Sequence, residues 1–231
     1  MDKKDKFEVK LHFLMAVCGG FIGGYAIFSH MSVFGSAQTA NLIELVASIL
    51  GHNFNEVGLR IGALLIYIGA IVCAVYLEKR TKVNLKYLCI GLELLAVLFV
   101  GMIPESVNPL LSLYPIFFVT AFQWCVFKGA LGYASSTIFS TNNIKQTVIS
   151  LTEYALMEDG KQRQEKLQKA QVFGGTLISF HTGVAFSYLA CSLYGIHAIW
   201  LCSILLLVNL SFMIYEYEFK TDKYLVKEYN A

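Results

Sequence analysis

"SAQTANLIELVAS" (36–48) lies between two strongly apolar stretches, and "STNNIKQTVIS" (140–150) repeats its character later in the chain. Each is a polar run of small hydroxyl and amide residues that leads into a short amphipathic segment. A shift of 102 residues places Thr39-Ala40-Asn41 on Thr141-Asn142-Asn143, Leu42 on Ile144, Val46 on Val148 and Ser48 on Ser150. The fold turns on why an apolar chain interrupts itself twice in this way.

The apolar surroundings are those of a membrane protein. Hydrophobic residues make up 56% of the 231 residues and charged residues 15%, with a mean hydropathy of +0.59; soluble domains carry about 25% charged residues. A net charge of +2 gives no concentrated basic face for nucleic acid. Windows of about 20 residues mark six spans, at Leu11–Ser29, Leu59–Leu77, Tyr87–Ile103, Leu110–Leu131, Val172–Leu193 and Ala198–Tyr215. The first reads as an uncleaved helix, because its apolar stretch has spanning length and lacks a small-x-small exit. The expected partner is therefore the lipid bilayer, with a small solute as cargo.

Basic residues set the orientation. Lys3, Lys4, Lys6 and Lys10 precede span one; Lys79, Arg80, Lys82 and Lys86 follow span two; Lys161, Arg163, Lys166 and Lys169 precede span five; Lys220, Lys223 and Lys227 close the chain. Six spans with both termini in the cytoplasm place every cluster inside the inner membrane and leave only Arg60 outside. The segment from Ala40 to Gly51 is near 18 Å long as a helix, so it cannot cross a core of about 30 Å. A seventh crossing there would also move "EKRTK" (78–82) outside.

In each copy, one span precedes the polar segment and two follow it. The expected fold is thus all-α, a single membrane domain of two three-span repeats, 1–107 and 108–231. An odd number of spans inverts the second repeat, the pattern of many secondary transporters. Ser36 or Thr39, and Ser140 or Thr141, are candidate caps for the short helices. Their apolar stripes are Leu42, Leu45, Val46 and Ile49 in one, and Ile144, Val148, Leu151 and Ala155 in the other. Two placements remain open at this point. A re-entrant helix would aim free N–H groups and partial positive charge at an anionic or carbonyl ligand, whereas a surface-lying helix would only anchor a loop.

"FGSAQTANLIELV" (34–46) resembles the YoaK-like family of uncharacterised bacterial membrane proteins. That family shows a phrase close to F-x-S-x-x-T-G-N-L. Phe34, Ser36, Thr39, Asn41 and Leu42 match it, with Ala40 replacing Gly. Ser140-Thr141-Asn142-Asn143 is similar to a related phrase in the second half, Gln123 to a fourth-span Gln, and Glu93 in "GLELL" to a third-span acid. Where the family has an Asp, this chain has Gly23 and Gly24. The resemblance implies a multi-span membrane protein without an assigned substrate.

Glu93 stands mid-span, where a charge costs several kcal/mol unless protonated, paired or wet. His181 in span five is expected at similar depth, and the two are candidates for a proton-sensitive pair; each has an alternative as interhelical hydrogen-bond glue, as does Asn209. Thr39, Asn41, Gln123, Thr141, Asn142 and Asn143 are the candidate solute-binding residues. Lys128 reads as snorkelling to the headgroups, Pro115 as a kink in span four, and "GGFIGG" (19–24) as a close helix crossing. Six scattered cysteines without a C-x-x-C pair read as small buried hydrophobes. No metalloprotease, nucleophile-elbow or P-loop motif occurs, so neither an enzyme nor a cofactor is expected. Secondary transport of a small solute is the leading expectation, with a non-transporting scaffold or regulator as its alternative.

Overall fold

The computed structural model describes residues 3–29 and 38–216; Phe34, Ser36, Lys220, Lys223 and Lys227 lie outside the described residues. The regular elements among the described residues are helices: α1 (Lys3–Ser29), α2 (Gln38–Leu50), α3 (Phe54–Arg80), α4 (Leu85–Val100), α5 (Pro109–Ser112), α6 (Tyr114–Val126), α7 (Thr141–Leu156), α8 (Gly160–Tyr194) and α9 (Cys202–Ile214), the last preceded by a 3-10 stretch, Gly195–Leu201.

Three helical stretches are long and apolar enough to cross a bilayer: α1, α3 and the run Gly160–Ile214, which Gly195 breaks with a φ of +54°. Of the six expected spans, three are shorter as single helices, α9 among them as the last part of the Gly160–Ile214 run. α4 has 16 residues and α6 and α9 have 13 each, which amounts to about 24 and 20 Å. Leu110–Leu131 is not one span. Asn108 caps α5 through the Leu110 N–H at 2.9 Å, Pro115 sits in the first turn of α6 and kinks nothing, and the helix ends at Val126. Positive φ at Gly129, Leu131 and Gly132 then turns the backbone out of helical space. Residues 127–140 form no helix. α8 in turn starts at Gly160, twelve residues before the expected Val172. Its charged first turns dock on α7, where Lys166 pairs with Glu153 at 2.7 Å and Arg163 lies 4.4 Å over the Tyr154 ring.

Side-chain contacts fix which helix ends lie together. At one end Phe7 of α1 stacks on Phe212 of α9 at 5.3 Å, Lys128 after α6 pairs with Glu78 of α3 at 2.6 Å, and the Tyr133 hydroxyl reaches the Glu165 carbonyl of α8. At the other, Tyr25 donates to Ile196 O (2.9 Å), Tyr114 to Leu59 O (2.7 Å), and His197 Nδ1 meets Gly101 O (3.0 Å). Hence α1, α4 and α8 run one way and α3, α6 and α9 the other. α1 packs on α8 and α9, while α6 packs on α3 and α4.

Glycines set the α1–α8 distance. A Cβ on Gly20 would collide with the Phe180 carbonyl, and one on Gly183 with the Val17 carbonyl. The "GGFIGG" crossing is therefore backbone against backbone, where van der Waals contact replaces hydrophobic drive.

The surface is inside out for a soluble protein. Leu65 and Val72 of α3, Leu95 and Phe99 of α4, Ile178 and Leu193 of α8 and Ile204 of α9 are all exposed. Contiguous apolar surface of this extent requires covering. With three bilayer-length apolar stretches, this makes the chain a membrane protein.

Candidate functional site

The two polar phrases meet. Gln38 and Thr39 from the first turn of α2, and Thr141, Asn142 and Lys145 from the start of α7, line one open cavity of about 540 Å3. Tyr67, Trp124 and Phe139 form its apolar walls. Tyr67 is the midpoint of the 27-residue α3, so both short helices begin beside the middle of a bilayer-length helix. From there they diverge. α2 leads to the start of α3, where Glu44 and Arg60 approach to 4.0 Å; α7 leads to the opposite end and the start of α8.

Both helices turn their apolar stripes away from the bundle. Leu42, Val46 and Ile49, and Ile144, Val148 and Leu151, are exposed. The residues they bury are polar, Asn41 in α2 and Asn143 and Ser150 in α7. In water this arrangement would be inverted; in lipid it is what burial demands.

Capping departs from expectation. Ser140 stands at the N-cap position of α7 but makes no side-chain cap bond. Thr39 and Thr141 lie inside their helices as second and first residues. The first-turn N–H groups of α7 thus lack a side-chain acceptor among the described residues, and such groups carry partial positive charge.

Beside the cavity runs a second polar assembly that is closed. The non-helical stretch "ASSTIFS" (134–140) threads the interior, with Ser135, Ser136, Thr137 and Ile138 buried. Non-helical backbone at membrane depth must be satisfied by protein or water, and here protein satisfies it. Asn143 Nδ2 donates to Ser136 O (2.7 Å) and Phe139 O (3.1 Å), while its Oδ1 accepts the Ser136 N–H (3.1 Å). Gln123 Nε2 donates to Met15 O and to Thr137 Oγ1, both at 3.0 Å. Ser135 Oγ meets His12 Nε2 at 2.8 Å and accepts from Thr176 Oγ1 at 3.3 Å. Of the residues expected to bind solute, Asn143 is thus committed to the backbone of this stretch, and Gln123 joins the Met15 carbonyl of α1 to the Thr137 hydroxyl, its Oε1 having no hydrogen-bond partner among the described residues. Asn41 is buried one turn into α2 and does not line the cavity. The Ser135–His12 pair resembles half a catalytic triad, but His12 Nδ1 has no orienting partner among the described residues. The contact ties α1 to the threaded stretch.

Glu93 is fully buried in α4. Its Oε1 accepts from the Cys89 thiol at 3.4 Å, and its Oε2 has no hydrogen-bond partner among the described residues. His181 does not join it. It lies on the exposed face of α8, bonded through Nδ1 to its own helix at Leu177 O (2.9 Å), whereas α4 packs on α6 and α9. Rotation about the helix axis separates two residues that depth alone would have paired. Asn209 joins helices as expected, donating to Cys18 Sγ at 3.3 Å across the α1–α9 contact. The Lys128 ammonium is held by Glu78. Among the described residues, no group of three or more His, Cys, Asp or Glu is placed to hold a metal.

A family model described as "Protein of unknown function (DUF1275)" matches residues 11–212. The chain belongs to that family. No curated protein and no solved structure matches it. The DUF1275 match takes in both polar segments, Glu93 and the α1–α8 crossing. Sequence reasoning had missed Gln38, Tyr67, Trp124, Phe139 and Lys145 of the cavity and His12, Ser135 and Thr176 of the closed assembly. The available signals were the Gly129/Gly132 pair and the Ser-Ser-Thr run, both marks of a chain leaving its helix.

Proposed function

We propose that this DUF1275 protein is a secondary transporter of a small solute, built as two inverted three-span repeats in the cytoplasmic membrane with both termini inside. The cavity shared by the starts of α2 and α7 is its solute site. The observation carrying this reading is that the repeated polar phrases, separated by 102 residues, supply both polar flanks of one cavity beside the midpoint of α3. The packing pattern supports it. Exchanging the repeats turns α1 on α8 and α9 into α6 on α3 and α4, as a pseudo-two-fold axis in the membrane plane requires. α2 and α7 are then re-entrant helices, each returning to its own face. α4, α6 and α9 complete the six crossings with the help of their flanking non-α residues.

Glu93 is the coupling acid in this reading. It sits in α4, which packs on α6 and α9, away from the cavity lining, and one of its oxygens is left to a proton or a cation. The coupling passes from the packing between repeats to the site, as alternating access by rocking would need. Thr39, Thr141 and Asn142 contact the solute, and Asn143 and Gln123 hold the threaded stretch that shapes the site, Asn143 by its backbone and Gln123 by the Thr137 hydroxyl.

The test is uptake by proteoliposomes under an imposed pH gradient, read by a luminal pH dye against protein-free vesicles across a panel of small organic acids, amines and polyols. The expected result is protein-dependent flux for one class, abolished in Glu93→Gln at unchanged folded yield. Flux at the protein-free baseline across the panel, or equal flux in Glu93→Gln, contradicts the proposal.

A further inference from the structure

Resting on the reading of the shared cavity as the solute site, we infer that its ligand is a monocarboxylate with a flat apolar body, an arylcarboxylate in chemical class. The lining divides into two chemistries. One side is polar and electropositive: Lys145, the first turn of α7 without a side-chain cap, and the amides of Gln38 and Asn142. Lys145 has no ion-pair partner among the described residues, although Lys128 and Lys166 are both paired. Among the described residues, no Asp or Glu belongs to the lining. Both side-chain amide atoms of Gln38 are buried without a hydrogen-bond partner among the described residues, a costly state for polar atoms unless a ligand answers them. The starts of two helices of 13 and 16 residues bring their positive dipole ends to this place.

The other side is aromatic. Trp124 and Phe139 pack edge to face with centroids 4.9 Å apart, and Tyr67 completes the wall. Such a wall suits a planar apolar body at offset-stacked or edge contact. The charge count selects among anions. Lys145 supplies the one full positive charge of the described lining and matches one carboxylate, while a phosphate dianion is ordinarily met by Arg forks or several cations, none of which lines the cavity among the described residues. The volume of about 540 Å3 falls within the range of roughly 300–1,000 Å3 for small-molecule sites.

The chain has two tryptophans, and Trp200 lies elsewhere, stacked on His197 at 5.0 Å. In a Trp200→Phe background, Trp124 emission therefore reports the cavity. The purified protein in phosphatidylcholine nanodiscs is titrated with benzoate, benzyl alcohol and benzylamine. A parallel series replaces part of the phosphatidylcholine with phosphatidylglycerol. The expected result is saturable quenching by benzoate alone, weakened about tenfold or more in Lys145→Gln, as loss of a hydrogen bond to a charged group implies. Equal response to benzyl alcohol or benzylamine overturns the inference and leaves the cavity a solute site. A response to phosphatidylglycerol alone overturns it in favour of a lipid headgroup. Silence from all probes overturns both the inference and the site. Where Trp200→Phe fails to fold, the difference between wild-type and Trp124→Phe titrations supplies the same readout.

Discussion

Asn142 and Asn143 are adjacent in sequence and have opposite employment. Asn143 turns inward, where its side chain makes three hydrogen bonds to the threaded stretch 134–140. Asn142 turns toward the cavity, and its one side-chain hydrogen bond among the described residues is a long 3.5 Å approach to Ala134 O. The same contrast separates the two assemblies. In the closed one, amides and hydroxyls are spent on irregular backbone that lipid cannot solvate. In the open one, an ammonium, two amides and an uncapped helix start surround empty volume. Polar residues in a membrane interior hold the fold or wait for a ligand, and hydrogen-bond bookkeeping tells the two apart.

That contrast can be broken by mutation. Asn143→Ala strands one N–H and two carbonyls, so the expected loss is about 4 kcal/mol, seen as a lowered thermal midpoint or no folded protein; a loss below about 1 kcal/mol would place Asn143 outside the closed assembly. Gly19→Ala follows. Its Cβ would meet the Thr137 carbonyl and push the threaded stretch off α1, at about 3 kcal/mol for an overpacked contact. Gln123→Leu removes the donor to Thr137 Oγ1 and Met15 O, with an expected cost of about 1.5 kcal/mol on the same thermal readout. Smallest is Asn142→Ala, expected to change stability by less than about 0.5 kcal/mol while weakening benzoate quenching of Trp124. If Asn142→Ala proved as destabilising as Asn143→Ala, the division between the assemblies would dissolve.

That Thr39, Thr141 and Asn142 line one cavity was one of two placements the sequence left open, because two similar polar phrases in apolar settings have few physical uses. Glycine spacing announced a close crossing on α1 for the same kind of local reason, and the structure supplies α8 as its partner. Other features were not local. Lys145 looks like one more cation on an amphipathic helix until it is seen in space to have no ion-pair partner among the described residues. Tyr67, Trp124 and Phe139 read as ordinary apolar residues, since periodicity says nothing about which aromatic faces a cavity. The end of α6 at Val126 was obscured by hydropathy: "VFKGALGYASSTIF" (126–139) stays mostly apolar or small after its backbone leaves the helix. His181 shows the remaining gap, because depth can be counted along a span but facing cannot.

The central claim is that the starts of α2 and α7 flank one solute cavity within the membrane. Its most direct test is a Thr39→Cys/Asn142→Cys double variant, made after replacing the six native cysteines and treated in intact membranes with a short bifunctional thiol reagent. The account predicts an intramolecular cross-link between the two positions, with loss of solute flux once it forms. If each thiol reacts singly and no cross-link appears, the two segments do not share a site and the account is contradicted.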